Sequence, residues 1–261
     1  MKKIAIIGGG NLGTAMAHGL IKSEFVPADA ITITKRNTLT LSGLESIGAN
    51  VSADNVQAVK NSEIILLAVK PFQIKEVLEA IAPELGSNHI LISVVTGVSL
   101  EEMRSVIQKD IPLFRAMPNT AIAIQESITC ISSINSSEEQ KNYVNNLFSQ
   151  LGKIALIDEK LMNAATVLGA CGTAFAMRYI RANIQGGIEI GFDAATASLI
   201  AAQTVKGAAE LLLTTQTHPE QEIDKVTTPK GCTIAGLNEM EHRGFSSSLI
   251  RGIVASYNKI G

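Results

Sequence analysis

Apolar runs too short for helices recur through the first part of the chain, and stretches with helical spacing separate them. Residues 63–69 and 89–95 are nearly continuously apolar, the mark of strands buried on both faces of a parallel sheet. Similar runs at 4–7, 30–35, 113–117, 127–134 and 154–157 predict further strands, with a short one beginning at Val51. Between them, Leu12, Met16, Leu20 and Ile21 give helical periodicity over 11–23, and a second helix reads over 39–48. Asp54 is placed to cap a segment at 55–61, and Pro71 to start a helix reaching Ile81. Ser99 and Glu102 form a capping box, and residues 136–139 open a helix to Leu151. Strands alternating with helices predict a doubly wound, Rossmann-type parallel sheet over residues 1–158.

At Asp158 the pattern changes. Strand periodicity disappears, and long helices are predicted over 159–186, reaching 189, and from the N-cap Asp193 to Thr214. Both are rich in small residues, among them Ala164, Ala165, Gly169 and Ala174 in the first and Ala201, Ala202, Ala208 and Ala209 in the second. Small residues let helix axes approach closely, and helices apolar nearly all round need cover on every side. The segment 159–261 is short for that task, so it is expected to be an all-helical domain that forms a symmetric subunit interface. A homodimer, or a larger homo-oligomer built from dimers, follows.

Composition narrows the function classes. The chain has 261 residues, 46% apolar and 18% charged, with a net charge of −2 and no Trp. This balance speaks against a nucleic-acid surface or a base-stacking platform. Cys130, Cys171 and Cys232 show no metal-ligand or redox spacing, and no metal site is expected. Glycines interrupt the apolar stretch after Met1-Lys2-Lys3, so no secretory leader is read there, and Gln203, Lys206 and Glu210 break the apolar helix as a membrane span. A cytoplasmic protein is expected.

The candidate chemistry begins at residues 8–13, GGGNLG. The spacing Gly8-x-Gly10-x-x-Gly13, after a strand and opening a helix, is a dinucleotide-binding fingerprint. Gly8 turns the chain, Gly10 lets backbone approach a pyrophosphate, and Gly13 lets the helix pack on the strand, with Gly9, Asn11 and Leu12 completing the loop. The helix N-terminus then faces the phosphates. At the end of the second strand, where NAD sites place an acid, stand Lys35 and Arg36. They can pair with a 2′-phosphate, so NADP(H) is preferred, with NAD(H) left open. A second turn, 226–233, is punctuated by Pro229 and Gly231 before another helix that Thr233 can cap. Such a turn exposes consecutive amides to a carboxylate, and equally serves as a plain helix start.

Taken together, GGGNLG at 8–13, AVKP at 68–71, MPNT at 117–120, VLGACGTAF at 167–175 and TTPKGCTIAGL at 227–237 resemble the pyrroline-5-carboxylate reductase family from end to end. Departures from its pattern are Lys230 at the first glycine of S-P-G-G-x-T, Cys171 and Thr173 in the long helix, and Ala121 after MPNT. The resemblance implies reduction of Δ1-pyrroline-5-carboxylate to L-proline with NAD(P)H, the last step of proline biosynthesis. It implies that the Gly231, Cys232 and Thr233 amides hold the substrate carboxylate, that the Thr233 hydroxyl donates toward the ring nitrogen, and that Thr228 lines the same pocket. It also places Asn55, Ala68, Val69, Lys70 and Pro71 along the cofactor, Lys70 near the nicotinamide ribose as a catalytic candidate, and Thr96, Gly97, Met117 and Asn119 around the nicotinamide. His218 is a weaker candidate acid. A β-hydroxyacid dehydrogenase would carry Lys-x-x-x-Asn on the long helices, and 159–214 has none. A reductase of another cyclic imine, which Lys230 keeps open, and a non-catalytic NADP-binding paralogue are the remaining alternatives.

Overall fold

The computed structural model describes residues 2–260 and divides into two compact units, one of residues 2–171 with Ile260 and one of Gly172–Lys259. In the first, strands β1 (Ile4–Ile7), β2 (Ile31–Thr34), β3 (Asn50–Ser52), β4 (Ile64–Leu67), β5 (Ile90–Ser93), β6 (Leu113–Met117), β7 (Ser127–Ile134) and β8 (Gly152–Leu156) form one sheet in the order 3-2-1-4-5-6-7-8. The order reverses at β1 and β4, which pair in parallel with Ile4 opposite Ile64. The crevice beyond their carboxyl ends is where such sheets bind ligands.

Period-two alternation explains the continuous apolar runs. Ile4, Ile6, Ile64, Leu66, Ile90 and Ile92 face one core, against α1 (Asn11–Lys22), α2 (Ser42–Ser46) and a helix late in the unit. Ala5, Ile7, Ile65, Leu67 and Leu91 face the other, against α3 (Asn55–Lys60), α4 (Ile74–Ile81) and α5 (Leu100–Ile107). Both faces are covered, so no polar alternation survives. The late helix is α6 (Glu138–Ser149), which crosses from β7 to β8 and buries Val144, Leu147 and Phe148. The sheet is not wholly parallel: β7 runs antiparallel to β6, with Met117 opposite Cys130. The link between them holds only a 3-10 turn, Thr120–Ile124, too short for a crossover helix.

The helix expected from 159 onward is broken. A 3-10 turn, Glu159–Leu161, precedes α7 (Met162–Ala165) and a π-turn, Thr166–Cys171, before α8 (Gly172–Glu189). Met162 is fully buried with Met117 and Cys130, which keeps this connector with the sheet, beyond the expected boundary at 158.

The second unit contains α8, α9 (Ala194–Thr215), α10 (Pro219–Lys225), α11 (Cys232–His242) and α12 (Phe245–Ile260). Asp193 caps α9 by accepting from the Ala195 and Thr196 amides. A Cβ on Gly187 would lie 3.2 Å from that of Ala197, which is why α8 and α9 can close on each other. Among the described residues only Ala197 and Ala201 of these helices are fully buried. Ile190, Leu199 and Ile250 are 78%, 71% and 60% exposed, so the apolar surface of this unit far exceeds what one chain covers. No helix among the described residues is long and apolar enough to cross a membrane.

Candidate active site

A cleft of about 910 Å³ opens at the carboxyl ends of β1, β2, β4 and β5, walled by residues 7–12, 34–37, 68–71 and 94–96 with Asn55, Gln73 and Glu76. The glycine loop makes its floor. Gly8 has φ +117°, a region open to glycine, and a Cβ there would strike Ala68 O at 2.5 Å. A Cβ on Gly13 would lie 2.1 Å from Gly8 O, so α1 packs against its own entry loop only without a side chain. At Gly10 a Cβ would meet nothing within 4 Å, and that face of the loop is open. Gly13 therefore shapes the loop from behind and does not line the cleft.

Lys35 and Arg36 stand on the cleft wall, and neither enters an ion pair among the described residues. The Thr34 hydroxyl donates to Asn55 Oδ1 at 2.6 Å, which fixes the amide of Asn55 and leaves its NH2 to donate elsewhere. Ala68, Val69, Lys70 and Pro71 line the opposite wall, and the Lys70 amide donates to Gln73 Oε1. Thr96 reaches the cleft, whereas Gly97, at φ +76°, turns the chain beside it.

Met117 and Asn119 lie below the surface, 4% and 9% exposed, and do not line the cleft. Asn119 is engaged on both sides of its amide: Oδ1 accepts from Ala121 N, and Nδ2 donates to Gly169 O in the π-turn. It holds the 117–119 loop against that turn, a role the linear pattern gives no sign of. Burial pushes the Cys130 thiol up, so this cysteine is an inert core residue.

The second candidate site lies at the start of α11. Gly231 N donates to Thr228 O at 2.9 Å, with Pro229 and Lys230 at the corners, the pattern of a type II turn. Lys230 has φ +63°, where glycine is the usual occupant. The N-cap is Gly231; Thr233, expected to cap, is instead the second residue of the helix. A Cβ on Gly231 would come within 2.5 Å of Thr228 Oγ1. The hydroxyls of Thr228 and Thr233 have no protein partner among the described residues, beside first-turn amides that the helix cannot satisfy. His218 caps α10, its Nδ1 accepting from Glu220 N at 3.3 Å. No group of three metal-ligating side chains occurs among the described residues.

A family model described as pyrroline-5-carboxylate reductase dimerisation matches residues 159–261, and one described as NADP oxidoreductase, coenzyme F420-dependent, matches residues 3–97. Pyrroline-5-carboxylate reductase 2 of Dictyostelium discoideum is 42% identical over 274 residues, covering 99% of this chain and 92% of its own length. The chain belongs to the pyrroline-5-carboxylate reductase family. Pyrroline-5-carboxylate reductase 1 of the same organism is 47% identical over 268 residues and 98% of this chain, which spans about half, 49%, of that relative's length. Among solved structures, a pyrroline-5-carboxylate reductase from Coxiella burnetii superposes with a TM-score of 0.93 at 28% identity, covering 99% of this chain and 97% of that one. The Plasmodium falciparum pyrroline carboxylate reductase with NADP bound gives 0.88 at 27% identity, with the same coverages. Against the family pattern, the positive φ at Lys230 explains why a glycine is usual there.

Proposed function

We propose that this chain reduces Δ1-pyrroline-5-carboxylate to L-proline with NADPH. The observation that carries the reading is the presence, in a chain of this family, of both a glycine-floored cleft and the turn at 228–233. The cleft fits a dinucleotide: its floor excludes side chains at Gly8 and Gly13, its Gly10 face is open, and unpaired cations stand at the end of β2. NADPH, when bound, supplies the hydride for the C=N carbon. The residues of the chain bind and orient. Lys35 and Arg36 pair with the 2′-phosphate, the first amides of α1 with the pyrophosphate, and Asn55 and Lys70 with ribose hydroxyls. The amides of Gly231, Cys232 and Thr233 hold the substrate carboxylate, with Thr228 beside them. The Thr233 hydroxyl donates to the ring nitrogen as it becomes an amine. No nucleophile is required of the protein for such a reduction. Two chains associate through the helical unit, and a reducing cytoplasmic setting suits the three unpaired cysteines.

Lys230 favours a second reading, an altered imine, because it brings a charge to a corner that is glycine in the family pattern. One assay separates the two: purified protein with a panel of cyclic imines, each with NADPH and NADH. The expected result is proline formed from the five-membered carboxylated imine, faster with NADPH. No proline with either cofactor would overturn the first reading, and preference for another imine would install the second.

A further inference from the structure

The sheet unit buries a charged group that the proposed chemistry does not use. Arg115 lies in β6, all five residues of which are buried, and is itself 4% exposed. Its guanidinium forms an ion pair with Glu159 Oε1 at 3.4 Å, the Glu102 carboxylate lies within its electrostatic reach, and its Nε is buried with no acceptor among the described residues. The same Oε1 accepts from Leu100 N at 2.6 Å. That amide opens α5, and the helix cannot satisfy it, because the Ser99 hydroxyl is committed to Glu102 N. One carboxylate therefore joins the start of α5, the middle of β6 and the segment that follows β8.

The two elements it joins carry loop 96–99, which leaves the cleft wall at Thr96, and the buried loop 117–119, which does not line the cleft but touches Thr96. Residues 96–99 run from the cleft wall into α5, and β6 ends at Met117, where the 117–119 loop begins. Above the ion pair the loops meet again, the Thr96 hydroxyl pointing to Met117 Sδ at 3.9 Å. The contacts close a ring: Thr96, Met117, Arg115, Glu159, Leu100 and back along the chain to Thr96. A buried ion pair is weak evidence of stability, since apolar side chains of similar volume often serve as well. What it does provide is a fixed direction, and here that direction is the separation of two loops.

We propose that Glu159, acting through Arg115, is a positioning residue for the reaction. It sets loops 96–99 and 117–119, and with them the nicotinamide half of the cofactor, without touching either cofactor or substrate. The inference rests on the dinucleotide reading of the cleft. Glu159→Gln keeps an acceptor for Leu100 N and removes the charge, Glu159→Ala removes both, and Arg115→Lys keeps the charge alone. The measurements are kcat with NADPH, KM for each substrate, melting temperature, and affinity for 2′,5′-ADP, which fills only the adenosine half of the cleft. The expected result is an unchanged affinity for 2′,5′-ADP with kcat lowered about tenfold or more in Glu159→Ala, and by less in Glu159→Gln and Arg115→Lys. A lowered melting temperature with kcat unchanged would make the pair purely structural and overturn the proposal. Parallel loss of kcat and 2′,5′-ADP affinity would also overturn it, because the whole cleft would then have loosened. If Glu159→Ala does not fold, the two conservative variants are read by the same outcomes. A wild-type protein that neither binds 2′,5′-ADP nor reduces the imine would instead remove the underlying reading.

Discussion

Lys35 and Arg36 line the cleft at the end of β2, no acid occupies residues 34–37, and on the proposed reading the pair meets the 2′-phosphate of NADPH. Each charge-assisted contact contributes about 1.5 kcal/mol, so replacing both with neutral residues should shrink the NADPH-to-NADH preference about a hundredfold. The ratio of kcat/KM values checks it, and an unchanged ratio would place 2′-phosphate recognition elsewhere. On the same proposal Thr233 serves the substrate; it is exposed at the second position of α11, with its hydroxyl free of protein partners among the described residues. Thr233→Ala should lower kcat about a hundredfold while leaving NADPH affinity intact. Equal losses in both would count against proton donation. The places of these residues, a strand end and a helix start, are legible in the chain because they are set by neighbours in sequence. The long-range partners of Asn119 and Arg115 are not. The family motif offers Asn119 as a nicotinamide-side residue, yet its amide bonds Gly169 O, and Arg115 in its apolar strand pairs with Glu159 from a distant part of the chain.

Elements were legible in proportion to how far their causes lie along the chain. Capping boxes and apolar runs are written within a few residues, and α5, α6 and the buried strands begin close to where those signals stand. The direction of β7 follows from a link too short to cross the sheet, and the break at Thr166–Cys171 lies where Asn119, distant in sequence, donates to Gly169 O. Two elements carry predictions. In the turn before α11, Lys230 holds a left-handed conformation that disfavours a side chain. Lys230→Gly relieves that cost but loosens the unfolded chain, for a net gain of about 0.5–1 kcal/mol in a denaturant titration. A loss of stability would mean that the lysine side chain makes compensating contacts. At α5, the Ser99 amide and hydroxyl hold the Glu102 carboxyl below its usual value of 4.5. A depressed carboxylate contributes stability above its unfolded pKa and loses it as pH falls through the folded one. The acid limb of the stability profile below pH 4.5 should therefore flatten in Glu102→Gln, and Ser99→Ala should cost about 1 kcal/mol at neutral pH.

At the scale of the molecule, the two units differ in what holds them. The sheet unit buries both faces of its strands under its own helices. The helical unit leaves large apolar side chains in the open, among them Met177, Leu213, Ile250 and Val254. Exposed apolar side chains in such number on one helical unit are the mark of a surface that meets a partner. The chain could signal this surplus, since helices apolar on every side need cover, but it could not say which face meets which, because a symmetric partner has the same sequence. The consequence is thermodynamic. If association supplies the missing cover, unfolding is coupled to dissociation, and stability rises by about 1.4 kcal/mol for each tenfold increase in protein concentration. For two chains of this length unfolding together that is an upward shift of about 1–2 °C in melting temperature per decade. Scanning calorimetry across two decades of concentration, with sedimentation velocity on the same samples, checks both parts. The expected record is a melting temperature that climbs with concentration and a particle of at least two chains. A constant melting temperature with single-chain sedimentation would mean that the exposed apolar faces are covered by something other than a second copy.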